Sequence, residues 1–266
     1  MKSRKPFIPY LFWMASFVVI PLCMVIYYAF TDKSGGITFD NFRFISENKD
    51  VYLDSFKVAF LSTAICLLLA YPLALVMSRM SPRAQRMMNI LIMLPMWMNF
   101  ILRICSLELI LRPSGILNSV LSLLNLGGNT IYRTSAAVII GIVYNYLPFM
   151  VLPIYTVMAK ISKSLIEAGQ DLGCNSWQLL RKVIFPLSVP GVISGITMVF
   201  VPAASSFVIS ARLGGFNLIG DTIESYYKGE IDMNAGGMLS FILMVVIVIS
   251  IAVMNHFDQD DDIVLV

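Results

Sequence analysis

SAAVIIGIVYNYLPFMVLPIYTVMA, residues 135–159, sets the class of this chain, because it runs from Ser135 to Ala159 without one Asp, Glu, Lys or Arg. As a helix rising 1.5 Å per residue it would be about 37 Å long, more than the roughly 30 Å hydrocarbon core of a bilayer. Similar windows recur on both sides. They place spans near residues 8–30, 56–79, 87–111, 135–159, 188–211 and 236–256, and so predict an all-α membrane protein, a six-helix transmembrane bundle. Composition agrees: 58% of residues are hydrophobic and 13% charged, against roughly 45–50% and 25% in soluble domains.

The net charge of +3 is too small to suggest a nucleic-acid partner, and the basic residues cluster between apolar runs. Short cytoplasmic segments of membrane proteins carry the excess of Lys and Arg. Ten of them, including Lys2, Arg4, Lys5, Arg79, Arg83, Arg86, Lys160 and Arg181, fall on one side, against eight spread through longer acidic loops on the other. This predicts both termini inside. The first apolar run lacks an A-x-A cleavage site and is expected to remain as the first helix. Cys23, Cys66, Cys105 and Cys174 form no CxxC pair and read as packing residues, with no metal site. Prolines fall inside five of the six spans, where they either kink helices for packing or serve gating.

The connection 160–187 is the most patterned segment outside the spans. Ser162 and Ser164 precede Leu165-Ile166, Gly173 offers a stop, and Pro186 closes the segment. Within it, Glu167-Ala168-Gly169-Gln170-Asp171-Leu172-Gly173 is followed by nine residues and then Val183-Ile184-Phe185-Pro186. A short helix bearing Leu165, Ile166 and Leu172, ended by Gly173, can present an apolar knob to a groove on a partner.

That spacing resembles the EAA motif of ABC-importer permeases: E-A-A, three residues, G, nine residues, then I-x-L-P. Gly169, Val183 and Phe185 depart from it mildly. The resemblance implies the type I, MetI-like permease fold and a coupling helix, with Glu167, Ala168, Gly169, Leu172, Gly173 and Pro186 as the ATPase-coupling residues. Further stretches resemble the PotB-type branch that serves spermidine and putrescine: Leu94-Pro95-Met96-Trp97 with Asn99 and Arg103, Val138-Ile139-Ile140-Gly141, Leu147-Pro148-Phe149-Met150-Val151, and Asn217-Leu218-Ile219-Gly220. The likeness covers most of residues 56–250. It implies a transport subunit without catalysis of its own, in a bacterial cytoplasmic membrane. Its implied partners are a second, PotC-type permease, a PotA-type ATPase dimer carrying ATP and Mg, and a PotD-type extracytoplasmic binding protein. The implied division is a first helix and external loop at 1–55, a permease core at 56–256 and an acidic cytoplasmic tail at 257–266.

A polycation shed from water needs carboxylates, carbonyl dipoles and aromatic faces. Asp221, Glu224, Glu230 and Asp232, with Tyr226 and Tyr227, would supply a cation-friendly vestibule between the last two spans, or simply a hydrated loop. Within the spans, Trp97 and Asn99 behind Pro95, and Tyr144 and Asn145 ahead of Pro148, are the candidate pathway residues. Helix-to-helix hydrogen bonding is the alternative for Tyr144 and Tyr146. Arg103 is expected to snorkel toward the outer surface, Glu108 to pair with Arg112 at i+4, and Gly191 and Gly195 to let a helix approach closely, within the subunit or between subunits.

Other classes fit less well. Val192-Ile193-Ser194-Gly195 lacks the first glycine of a G-x-S-G nucleophile, the sole histidine is His256, and no H-E-x-x-H, Walker A or G-x-G-x-x-G occurs. A permease of a related importer for thiamine, an iron complex or sulfate shares every feature above. An ion-coupled carrier would need midplane carboxylates that the spans lack.

Overall fold

A computed structural model describes residues 7–123, 131–228 and 232–259. The basic residues Lys2, Arg4 and Lys5, the vestibule candidate Glu230 and the tail beyond Gln259 lie outside the described residues.

The described chain is a succession of helices. The first, α1, runs as Phe7–Met14, a π-helical turn Ala15–Val19 and then Ile20–Ala29. Next come the short α2 (Arg43–Glu47) and the 31-residue α3 (Lys49–Arg79). After these, α4 (Pro82–Met93) passes through a 3-10 turn, Leu94–Trp97, to α5 (Phe100–Leu111) and α6 (Ile116–Leu123). The spanning α7 (Ser135–Met158) precedes α8 (Lys163–Asp171). Ser176–Leu179 (α9) continues through a π turn, Leu180–Ile184, into α10 (Phe185–Ala204). Finally α11 (Val208–Leu213) and α12 (Ile219–Lys228) lead to α13 (Met233–Gln259).

Five of these helices are long and apolar enough to cross a bilayer, and a bent pair, Pro82–Trp97 with Phe100–Ser122, makes up to six. The protein is a multi-pass membrane protein. Its interior is a three-helix wedge of α3, α7 and α10. Small residues on α3 (Cys66, Ala70, Ala74) meet Met150, Ile154 and Met158 of α7, and Val192 and Val199 of α10 close the cluster. Gly191 and Gly195 explain how close α7 and α10 come. A Cβ on Gly191 would sit 2.9 Å from the Pro153 carbonyl oxygen, and one on Gly195 2.8 Å from Met150 Sδ. The glycine pair therefore serves packing within this chain.

A second unit joins the ends of the chain. A Cβ on Gly237 of α13 would lie 2.7 Å from the Tyr28 Cβ of α1. The last carbonyls of α1 are unsatisfied within the helix, and two distant amides serve this end of the chain. Asn41 Nδ2 donates to Ala29 O and Thr31 O, both at 2.9 Å. Asn234 Nδ2 donates to Thr31 O at 2.6 Å and Tyr28 O at 3.2 Å.

Both π turns precede a proline. Pro21 and Pro186 lack the N–H that would close an ordinary turn, and the widened turn absorbs the ring. The backbone bonds shift by one residue: Ile20 N–H donates to Ala15 O, and Phe185 N–H to Leu180 O.

Three expectations need correction. The third span is no straight helix over 87–111: it breaks at Met98 and Asn99, and the two arms meet at 89°. Pro95 denies the helix a donor, and Asn99 starts a new one by accepting the N–H groups of Ile101 (2.9 Å) and Leu102 (3.4 Å) on its Oδ1. Arg103 does not snorkel. It is 8% exposed, its guanidinium lies 5.8 Å from the Phe100 ring centroid, and Nε and Nη1 have no hydrogen-bond partner among the described residues. Lastly, the fifth span begins at Ser176 and ends at Ala204, so the second half of the 160–187 connection is already its first turns.

Candidate functional site

The segment from Lys163 to Leu179 is two short helices folded against each other by one turn. Leu172 ends α8 and Gly173 follows at φ +81°, the left-handed region that glycine adopts without steric cost. Gly173 N–H donates to Gln170 O at 2.8 Å and Cys174 N–H to Gly169 O at 3.1 Å. These are the paired bonds of a Schellman stop. Two residues on, Asn175 and Gln178 cap each other reciprocally, Asn175 Oδ1 taking Gln178 N–H at 2.8 Å and Gln178 Oε1 taking Asn175 N–H at 3.0 Å.

The two faces of α8 differ. Inward, Ile166 packs on the main core and Gly169 is buried. A Cβ on Gly169 would come 2.8 Å from Leu179 Cδ1, which explains glycine where alanine is expected. Outward, Leu165, Ala168 and Leu172, at i, i+3 and i+7, share one face. Leu172 is 85% exposed and Trp177, just across the turn, 67%. Glu167 and Asp171 are exposed on the same short helix. Large apolar side chains held outward by the capped turn make an exposed apolar knob, a surface of the kind that marks interaction sites, and Trp is among the residue types enriched at interface hot spots. Trp177 escaped the sequence reading, although Asn175 as a helix cap was a signal that another exposed helix starts there. Pro186 sits just beyond the π turn, at the start of the fifth span's shaft.

The pathway candidates stand on three elements: the break before α5, α7 and α12. Trp97, 76% exposed, stands on the 3-10 turn at the break, and Asn99 caps α5 with its side chain. On α7, Tyr144 is exposed, whereas Asn145 is buried, its Nδ2 donating to Gly141 O at 2.8 Å. Asp221 is buried near the start of α12, its Oδ2 accepting Leu218 N–H at 2.8 Å. Burial pushes its carboxyl up from the usual range, against the pull of the Ser210 hydroxyl and Leu218 amide, and the neighbouring Glu224 charge raises it further. Glu224 is half-buried and pairs with Lys228 at 2.7 Å. Asp232 forms an ion pair with Lys33 at 3.3 Å. Glu108 meets Arg112 at 2.6 Å as expected, and also receives the Tyr132 hydroxyl at 3.2 Å, which ties the broken span to the approach of α7.

Residues 67–260 match the family described as "Binding-protein-dependent transport system inner membrane component". The chain belongs to this family. Among binding-protein-dependent permeases it is 35% identical, over 91% of its length and 88% of the relative's, to the spermidine/putrescine transport system permease protein PotB of Haemophilus influenzae. It is 33% identical to PotB of Escherichia coli, over 88% of this chain and 90% of that one. In fold it is similar to a chain of a bacterial ABC transporter that imports the acidic polysaccharide alginate, with TM-score 0.78, 18% identity and coverage of 96% and 94% of the two chains. A methionine ABC transporter, MetNI, shares the fold at TM-score 0.56 and 18% identity, over 79% of this chain and 91% of that one. The exposed knob thus belongs to an inner-membrane permease of the MetI-like fold.

Proposed function

We propose that this chain is the permease subunit of an ATP-driven polyamine importer and forms half of the translocation pathway together with a second, PotC-type permease. The observation that carries this reading is the likeness to two PotB proteins over about nine-tenths of the chain, at 35% and 33% identity. On this reading both termini and the 163–179 knob face the cytoplasm, and a PotA-type ATPase dimer, which holds ATP and Mg, seats the knob. A PotD-type binding protein delivers spermidine or putrescine to the opposite side.

Two features of the fold support a mechanism for coupling. A capped turn fixes α8 to α9, and Ser176–Ala204 is helical for 29 residues, about 44 Å of rod. Displacement of Leu165, Leu172 and Trp177 by a closing ATPase dimer moves that rod as a unit. Gly191 and Gly195 hold it against α7. Its far end breaks at Ser205, short of Val208 where α11 begins, so motion at the knob emerges against the start of α12, whose Gly220 lies on the carbonyls of Ser205 and Ser206. ATP hydrolysis stays on the partner; this chain contributes the lever.

Uptake in proteoliposomes containing the assembled complex tests the assignment. Spermidine accumulation that requires ATP, and disappears when the partner's ATPase site is inactivated, is the expected result. Accumulation driven by an ion gradient alone would show a carrier instead.

A further inference from the structure

Two apolar clusters fill the interior, one built on Val58, Ala59 and Ile142, the other on Cys66, Ala70 and Met150. Between them, on α3 and α7, lie two buried polar residues, Ser62 and Asn145. Ser62 Oγ and Asn145 Oδ1 are sealed from solvent and have no hydrogen-bond partner among the described residues, and the same holds for Nε and Nη1 of the buried Arg103 on α5. Register brings Arg103 to the level of Asn145, because α5 and α7 run in opposite directions. Glu108 receives the Tyr132 hydroxyl at 3.2 Å, a Cβ on Gly141 would lie 3.8 Å from Leu107 Cδ2, and the Arg103 charge acts on Tyr146. Arg103 is one turn before Leu107, and Asn145 one turn after Gly141. Asn145 Nδ2 is held by Gly141 O at 2.8 Å, so Oδ1 is the free end of the amide. Two unused donors and one unused acceptor thus stand in one layer on adjoining helices.

A buried guanidinium without a partner destabilises the state that contains it, and an apolar side chain of similar volume would fill the same space without that cost. The fold also holds a hinge beside it. At its outer end α5 is pinned, Glu108 meeting Arg112 at 2.6 Å. At its inner end it meets the 89° break, and Arg103 lies one turn away, its N–H donating to Asn99 O at 3.1 Å. We propose that Arg103 is a positioning residue of the transport cycle: a swing of α5 at the break sets its side-chain N–H groups on Asn145 Oδ1, and that contact holds a second state of the pathway. The proposal rests on the importer reading and adds to it the contact that separates two positions of α5.

The test uses the whole importer in vesicles. Arg103→Met and Asn145→Leu are each expected to slow ATP-driven spermidine uptake about tenfold, the loss of one charge-assisted contact. The double variant should be no slower than either single one, since each removes the same contact. Arg103→Met should melt at the wild-type temperature or above it, because no unpaired charge is left buried. A residue that only packs would instead lower the melting temperature, and independent losses would multiply to about a hundredfold; either result contradicts the proposal. Spin labels at the exposed Leu102 of α5 and Thr156 of α7 read the swing without reference to cargo. Their separation should change when ATP is trapped on the partner, and Arg103→Met should abolish that change. An unchanged separation in the wild type, or a wild-type uptake rate in Arg103→Met, overturns the switch and leaves the importer reading standing. A wild-type complex that takes up no spermidine but shows the change in separation overturns the polyamine reading and supports the switch. If Asn145→Leu is not recovered folded, Arg103→Met decides: slower uptake without a lower melting temperature supports the proposal, and a change in separation that persists in that variant contradicts it.

Discussion

The α7–α10 seam and the α8–α9 knob treat apolar surface in opposite ways. At the seam, Gly191 and Gly195 remove side chains so that two backbones come within contact of Pro153, Ile154 and Met150. At the knob, Leu172 and Trp177 keep their full side chains and stand exposed. Lipid offers no hydrophobic reward for helix association, so close packing of small residues must hold the seam. Water penalises the knob's exposure, and on the proposed reading an ATPase subunit covers it. The seam packs the subunit within itself, and the knob is the surface proposed for the partner.

The largest effect is expected at the seam. Gly191→Leu drives a side chain into the Pro153 carbonyl, which cannot move aside. A loss of more than about 3 kcal/mol is expected, beyond ordinary overpacking, so size-exclusion in detergent should find no folded monodisperse protein. A folded, assembled Gly191→Leu variant would contradict the seam.

At the knob the expected loss is of function with the fold retained. Trp177→Ala and Leu172→Asp should each lower ATP-driven uptake about thirtyfold or more, the scale of an interface anchor worth about 2 kcal/mol or more, at normal membrane abundance. Gly173→Asp adds a charge to the same surface, and a Cβ there meets nothing within 4 Å. It should therefore insert normally and uncouple transport. Normal substrate-stimulated ATPase activity in that variant would remove the knob from the coupling path. Gly173→Ala should cost only the left-handed strain, about 1–2 kcal/mol, visible as a lower melting temperature.

The smallest effect sharpens the contrast by testing a buried polar group. Asp221 has its carboxyl raised by burial, so the folded state binds a proton that the unfolded state releases. The contribution of this group to stability should be fully present below the usual carboxylate range and be lost as pH rises through the raised value. Asp221→Asn keeps an acceptor for Leu218 N–H and should flatten that slope in melts between about pH 4 and 7. A stability difference between wild type and Asp221→Asn that moves in wild type's favour as pH rises would contradict the assignment.

Hydropathy located α3, α7 and α13 well, because twenty apolar residues in a row leave little choice in a bilayer. It misread the third span because a window average is blind to Pro95 and Asn99, a missing donor followed by a helix cap; both were visible as residue types. The expectation that Arg103 reaches the outer surface assumes an unbroken third span, and the 89° break removes that premise. The fifth span started earlier than expected because Pro186 reads as a stop, whereas the π turn before it lets the helix continue. The Gly173 stop was legible in local sequence, and Schellman geometry requires nothing distant. The amide of Asn234 at the end of α1 was not, since nothing local marks a contact 203 residues away.

A photo-crosslinking residue at position 172, with one at the exposed, apolar Phe60 of α3 as control, puts the account to its most direct trial. In assembled importer, position 172 should crosslink to the ATPase subunit, and Phe60 should not. Labelling of position 172 by an impermeant reagent from the cell exterior, or crosslinks from 172 to every component except an ATPase, would contradict it.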